Sequence, residues 1–330
     1  MREFGYERVF DVPAAVGLLD ADPDARYLGG GTNLVDLMKT GVERPARLVD
    51  VRELPLDGIE LTPDGGLRIG ATATNSDLAA HPEVRRRYPM LAQAVLAGAS
   101  GQLRNMATVG GNLLQRTRCG YFSDLAKPCN KRVPGSGCPA VEGEHHNAAI
   151  LGASAHCVAV HPSDMGVALA ALDAVVSYET ADGPGELPLA EFYLPLGETP
   201  HLETALPPGA LITAVTLPPA PVAALSRYRK VRERASYAFA IGSVAAALDV
   251  RDETVHEVRL AFGAVASRPW RAHAAERVLT GGPATAEAFA AAADAELAAA
   301  ETLPHNGYKV TLMRNLVVAV LSELAEEAVR

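Results

Sequence analysis

The chain has 330 residues, 48% of them hydrophobic, and a formal net charge of −9. That length can bury a large core and carry two or three domains. Its mild acidity, with Arg85-Arg86-Arg87 as the only basic run, argues against nucleic acid as a partner.

No stretch is long and apolar enough to span a bilayer. Met1-Arg2-Glu3-Phe4 lacks the charged-then-apolar layout of a secretory signal. A cytoplasmic chain is therefore expected, periplasmic only if a signal-bearing partner carries it. In chain order, Asp11 caps a predicted helix from Val12 to Leu19, and a short strand, Arg26-Tyr27-Leu28, runs into Gly29-Gly30-Gly31-Thr32-Asn33-Leu34. Glycine reaches positive φ cheaply and lets a ligand approach the backbone, and successive N–H groups in such a loop form a concavity suited to an anion. Thr32 or Asn33 can cap the segment Leu34–Lys39, whose N-terminus also favours negative charge. The expected anion is a phosphate or pyrophosphate. The match to known phosphate motifs is incomplete: Leu34 stands where a Rossmann fingerprint needs its third glycine, and the Gly-Lys-Ser/Thr of a P-loop is absent. A glycine-rich surface turn is the plainer reading.

Gly41 reads as a helix stop and 46–51 as a strand, which completes a compact β-turn-α-β unit. A hairpin pairing Ile59–Leu61 with Leu67–Gly70 is expected next, then helices beginning near Leu78 and at Met90. Asn105 to Leu114 forms a second glycine segment containing Thr108, Gly110, Gly111 and Asn112. Two glycine loops a whole unit apart suit an elongated dinucleotide such as FAD.

From about 115 to 160 the periodicity weakens. This stretch holds every cysteine in the chain, Cys119, Cys129, Cys138 and Cys157, separated by nine, eight and eighteen residues. Disulfides are little needed in a cytoplasmic chain with a large core. A Cys₄ zinc site usually shows tight C-x₂₋₄-C pairs, and a 4Fe–4S cluster also takes four thiolates. Spacing favours the cluster over zinc without excluding zinc. His145, His146, His156 and His161 are alternative ligands or ordinary loop residues. Cys157–Val160 reads as a strand, and Asp164 as the N-cap of a buried helix or a partner for ligand hydroxyls. A strand at 174–178 follows. Beyond it come a strand at Leu211–Leu217, a stiff connector at Pro218–Pro221, the segments 226–231 and 238–248, a strand at 258–265, and two closing helices near 285–300 and 308–327. Strands followed by packed helices suggest an α+β domain.

In this order, Gly29–Leu34, Ala107–Leu113 and Ser163-Asp164 resemble the three flavin-contacting segments of the FAD-binding subunits of the xanthine dehydrogenase, or molybdenum hydroxylase, family. Tyr228–Val231 and Ala238–Ile241 resemble the start of that family's C-terminal domain. The interposed cysteine loop resembles the branch that includes periplasmic aldehyde oxidoreductase and 4-hydroxybenzoyl-CoA reductase. The resemblance implies an α+β chain: a two-subdomain FAD-binding fold of the vanillyl-alcohol oxidase and MurB (PCMH) type at 1–222, with subdomains of about 1–52 and 53–222. A C-terminal domain like that of the CO dehydrogenase flavoprotein would follow at 223–330. It implies FAD contacts at Leu28, Gly29, Gly30, Gly31, Thr32, Asn33, Leu34, Thr108, Gly110, Gly111, Asn112 and Asp164, with Lys230 beside the isoalloxazine ring. It also implies a 4Fe–4S cluster on the four cysteines, close enough to the flavin to exchange electrons. The implied partners are a molybdenum-cofactor large subunit and a 2Fe–2S small subunit in a heterotrimer, with an external electron acceptor other than NAD. No residue reads as a catalytic acid or base of substrate hydroxylation. A standalone FAD oxidase whose loop is stapled by zinc or disulfides, and a non-catalytic metal-stapled scaffold, are the rival readings.

Overall fold

The computed structural model describes residues 1–329 and contains three sheets. The first joins β1 (Gly5–Arg8), β2 (Ala25–Leu28) and β3 (Arg47–Asp50), all parallel, with β3 in the centre. The helix Val12–Ala21 starts on Asp11, whose Oδ1 accepts from the Ala14 N–H at 2.8 Å. Pro13 sits in its first turn, where no intrahelical N–H is lost. Val16, Ala25, Val49 and Leu54 fill the small core between them. The helix Leu34–Thr40 ends on Gly41 in the left-handed region at φ +80°, as its sequence predicts.

The second sheet is antiparallel: β4 (Ile59–Leu61), β5 (Leu67–Gly70), β6 (Val175–Thr180), β7 (Gly183–Pro188) and β8 (Leu211–Leu217), in the order β4-β5-β8-β6-β7. All the helices of the middle region and the whole cysteine loop are threaded between β5 and β6. Leu67, Ile69, Val215 and Leu217 pack against the helices Pro89–Ala97 and Asp164–Ala171. The third sheet holds β9 (Ser226–Val231), β10 (Gly242–Arg251), β11 (Thr254–Gly263) and β12 (Trp270–Arg271), in the order β12-β11-β10-β9. One face meets the helices Ala286–Leu297 and Tyr308–Ala328 through Val244, Leu260, Phe262, Phe289 and Val317. The other face turns Tyr228, Ala245, Ala247 and Ala261 into the same core as the middle helices. The Tyr228 N–H donates to Gln93 Oε1 at 2.8 Å, so the C-terminal sheet is fastened directly to the middle region.

Three local expectations change. The helix after Thr74 begins at Asn75 rather than near Leu78, because Thr74 itself caps it by accepting from the Asp77 N–H. The second glycine segment is not an open loop: Val109–Leu113 is a single helical turn, closed by Thr108 Oγ1 accepting from the Gly111 N–H at 3.2 Å. Cys157–Val160 is not a strand. Only Cys157 makes a bridge, to Ser154, and Val158 spends its carbonyl on the Ala149 N–H within the loop itself.

Candidate functional site

The two glycine segments touch. A Cβ on Gly29 would lie 2.7 Å from Thr108 Oγ1, and one on Gly30 only 1.7 Å from the Met106 carbonyl oxygen. Gly30 is therefore required by the close approach of backbone to backbone. The expectation that these glycines serve positive φ holds only for Gly31, at +73°. Gly110 and Gly111 are helical, and Gly110 packs against Ala71.

Among the described residues, no acceptor takes the N–H of any residue from Gly29 to Leu34. Six donors therefore stand free along one half-buried turn that leads into a helix N-terminus, the arrangement that binds phosphate. Asn33 occupies the N-cap position without capping. Its Oδ1 instead accepts from the Arg116 N–H at 2.9 Å, while its Nδ2 is buried with no partner. Thr32, Asn33 and Gly111 line both of two cavities, of about 590 and 240 Å³. The larger also carries Gly29, Gly30, Gly31, Leu34, Thr108 and Gly110. The smaller carries Asn112, Asp164 and Lys230. Leu28 lines neither, and its side chain lies against the Gly31 turn.

In the smaller cavity the cap is Ser163, whose Oγ accepts from the Gly166 N–H at 2.9 Å and donates to Asn112 Oδ1 at 2.6 Å. This overturns the N-cap reading of Asp164, which is the first helical residue. Asp164 instead accepts from the Tyr228 hydroxyl at 2.6 Å and from Lys230 Nζ at 2.8 Å. Both charged side chains are nearly buried, at 9% and 4% exposure, so Lys230 is no ordinary surface lysine. Burial, reinforced by Asp164, pushes the Tyr228 phenol well above its usual range, so it stays a donor. Lys230 and Arg232 both donate to the Ala97 carbonyl, and Arg104 to that of Gly98. A helix C-terminus thus gathers cations at the edge of the cavity. Arg118 lies over the Phe239 ring at 4.9 Å with its Nε buried and unpartnered, and burial depresses its pKa. Arg104, Arg118 and Tyr237 escaped the sequence reading, for no local pattern marks them, and Phe239 entered it only within the Ala238–Ile241 resemblance, with no role at the cavity.

The cysteine loop starts at this site. Arg116 pairs with Glu43 and Glu203, each at 2.6 Å, and stacks over Phe122 at 4.8 Å; Glu203 also takes Lys131 at 2.7 Å. The neighbouring Cys138 thiol, together with burial, raises the pKa of Cys157. Cys119 packs beside Cys157, and burial, together with the neighbouring Cys129 and Cys138, raises its pKa. All four are free cysteines, and among the described residues no three His, Cys, Asp or Glu side chains are arranged to hold a metal ion. His145 stacks on His305 at 4.8 Å and accepts from the His305 N–H, so it is committed to the loop's packing.

The free turn amides, the orphaned Asn33 amide and the two joined cavities fit an elongated dinucleotide carrying a pyrophosphate. Two family models match: "FAD binding domain in molybdopterin dehydrogenase" over residues 2–220, and "CO dehydrogenase flavoprotein C-terminal domain" over 226–324. The aldehyde oxidoreductase FAD-binding subunit PaoB of Escherichia coli K12 is 51% identical, with 99% of this chain and all of that protein covered. The glyceraldehyde dehydrogenase medium chain of Sulfolobus acidocaldarius is 25% identical over 84% of this chain and 82% of its own. Among solved structures, carbon monoxide dehydrogenase from Hydrogenophaga pseudoflava aligns with a TM-score of 0.77 at 26% identity, covering 98% of both chains. Quinoline 2-oxidoreductase from Pseudomonas putida 86 shares the fold, with a TM-score of 0.77 over 100% of this chain and 99% of its own, at 22% identity. The chain is an oxidoreductase subunit and belongs to the FAD-binding subunits of the molybdenum hydroxylase family.

Proposed function

We propose that this subunit holds one FAD non-covalently across the two cavities and passes electrons from a 2Fe–2S small subunit to an external acceptor. Substrate would be oxidised at a molybdenum cofactor on a separate large subunit, with an aldehyde the favoured substrate class given the 51% identical relative. The observation that carries this reading is the row of unengaged N–H groups from Gly29 to Leu34, continuous through Asn33 with the cavity that contains Lys230. The pyrophosphate belongs on that turn, with Thr108, Gly110, Gly111 and Asn112 flanking the dinucleotide. Asp164 faces its hydroxyls, and the Lys230 ammonium stands near the ring, where positive charge favours the reduced flavin. The flavin supplies the redox chemistry, while the chain supplies position and electrostatics. No His or Cys lies in either glycine segment to form a covalent link. Acid precipitation should therefore release free FAD, and flavin retained in the pellet would overturn the non-covalent reading.

The second part of the proposal is a 4Fe–4S cluster on Cys119, Cys129, Cys138 and Cys157. Support comes from the confinement of every cysteine to one loop and from the approach of their thiols to one another. Iron and labile sulfide in anaerobically purified protein test it. Stoichiometric zinc without iron would refute it.

A further inference from the structure

A third cavity, of about 380 Å³, lies away from both flavin chambers. It opens between the middle region, at the end of the Asp164–Ala171 helix and at Leu189, and the C-terminal sheet, at β12 and the helix His273–Leu279 that follows it. Its charges do not cancel. Asp173 accepts from Arg259 at 2.9 Å and from Arg271 at 2.8 Å. Glu296 is 6% exposed and saturated by Trp270 Nε1 at 2.8 Å and by the N–H groups of Ala274 and Ala275 at 2.8 and 3.1 Å. Both carboxylates in the wall are therefore fully engaged. Two guanidinium groups in the same wall, Arg268 and Arg277, have no hydrogen-bond or ion-pair partner among the described residues, and Arg268 is half-buried.

The backbone just before Arg268 is anchored. The Val265 carbonyl takes the N–H groups of Ile150 and Leu151, the Ala266 carbonyl takes that of His161, and Pro269 restricts the next position. An uncommitted guanidinium fork on an anchored stretch of backbone is an arrangement that accepts a carboxylate in two parallel hydrogen bonds. Leu189, Pro269 and the ring of Trp270 give the wall an apolar side, and His273 and Tyr193 also line it. We propose that this cavity binds a small organic carboxylate, its carboxylate on Arg268 with Arg277 adding charge, and its apolar body against Leu189, Pro269 and Trp270. The site shares no lining residue with either flavin cavity.

Trp270 is the only tryptophan in the chain, so its emission comes from the wall of this cavity. The full-length chain is titrated with benzoate, with neutral benzamide and with inorganic phosphate. Saturable change with benzoate and none with benzamide is expected. Arg268→Ala should weaken benzoate by about tenfold or more, the loss of one charge-assisted pair. Arg277→Ala should weaken it less, and Arg268→Lys should retain part of the affinity. If Arg268→Ala melts early, the Arg268→Lys and Arg277→Ala comparisons decide instead. Phosphate binding as tightly as benzoate would show that the apolar wall is not read and would overturn the carboxylate assignment. Equal response to benzamide, no saturable response to benzoate, or benzoate affinity unchanged in all three variants would each overturn the site.

Discussion

Gly30→Ala isolates what the first glycine segment contributes. Gly30 is not in the left-handed region, so alanine meets no conformational penalty there. The obstacle is spatial: the new Cβ would stand 1.7 Å from the Met106 oxygen, 2.4 Å from its carbon and 2.9 Å from the Ala107 nitrogen, all backbone. Ordinary contact needs more than 3.4 Å, so the two glycine segments must part by well over an ångström. Overpacking of this kind costs about 1–3 kcal/mol. The separation also pulls Thr108 and Gly111 away from the turn that would hold the pyrophosphate. Gly30→Ala should therefore purify folded but largely flavin-free. Gly17→Ala, a helical position with nothing within 4 Å, should keep its flavin and gain up to about 1 kcal/mol. The assay is FAD per chain from absorbance after acid release, beside the thermal midpoint of each variant. Wild-type flavin content in a folded Gly30→Ala protein would refute the reasoning.

Asp164→Asn strands a nearly buried Lys230 and should lower stability by about 3 kcal/mol in urea melts, whereas Asp164→Asn combined with Lys230→Met should cost less than that single change; equal or additive losses would deny the pair. Burial lowers Lys309 from 10.5 to about 7, so between those values the unfolded chain holds a proton that the folded chain does not. Stability should rise with pH across that window, and Lys309→Met should flatten the rise; an unchanged slope would remove Lys309 as its source. Each single Cys→Ser change in the loop should lose iron and increase protease cutting between 115 and 160 while most FAD remains; four variants with wild-type iron content would refute the shared site.

The elements that the sequence discloses most fully are those set by local chemistry. Asp11 and Gly41 bound their helices as predicted, and Leu211–Leu217 forms a strand over the expected residues. The glycine turn was legible as a turn, with a plain surface turn as its competing reading, but its reason was not. That Gly30 faces Met106 is a contact across 76 positions, invisible to any window. The second glycine segment misleads for the opposite reason. Gly110-Gly111 disfavours helix by propensity, yet Thr108 closes the turn and burial of Val109 and Leu113 holds it. Ser163 and Asp164 are both good caps, and the choice fell to Ser163 because Tyr228 and Lys230, more than sixty residues on, claim the carboxylate. Arg118 and Phe239 approach the cavity from chain segments about 120 residues apart, which no motif records.

Arg116 makes the cysteine loop and the glycine turn one mechanical unit. Its backbone N–H fixes Asn33, one of the residues common to both cavities, while its side chain joins Glu43, just beyond the helix that follows the turn, to Glu203, which also holds Lys131 inside the cysteine loop. Removing the guanidinium leaves the Asn33 bond intact but releases Glu43 and weakens the hold on Glu203. The group is mostly buried, at 23% side-chain exposure, so the loss of one charge-assisted hydrogen bond to Glu43 and one ion pair with Glu203 should amount to roughly 2 kcal/mol after solvent takes part of the load. Because the same side chain serves both segments, Arg116→Met should speed flavin dissociation and protease cutting of the loop together. Lys131→Met touches only the loop side and should raise cutting with little change in flavin release. Measured on the same preparations, faster flavin loss in Arg116→Met with an unchanged cutting rate would show that the two segments are ordered separately.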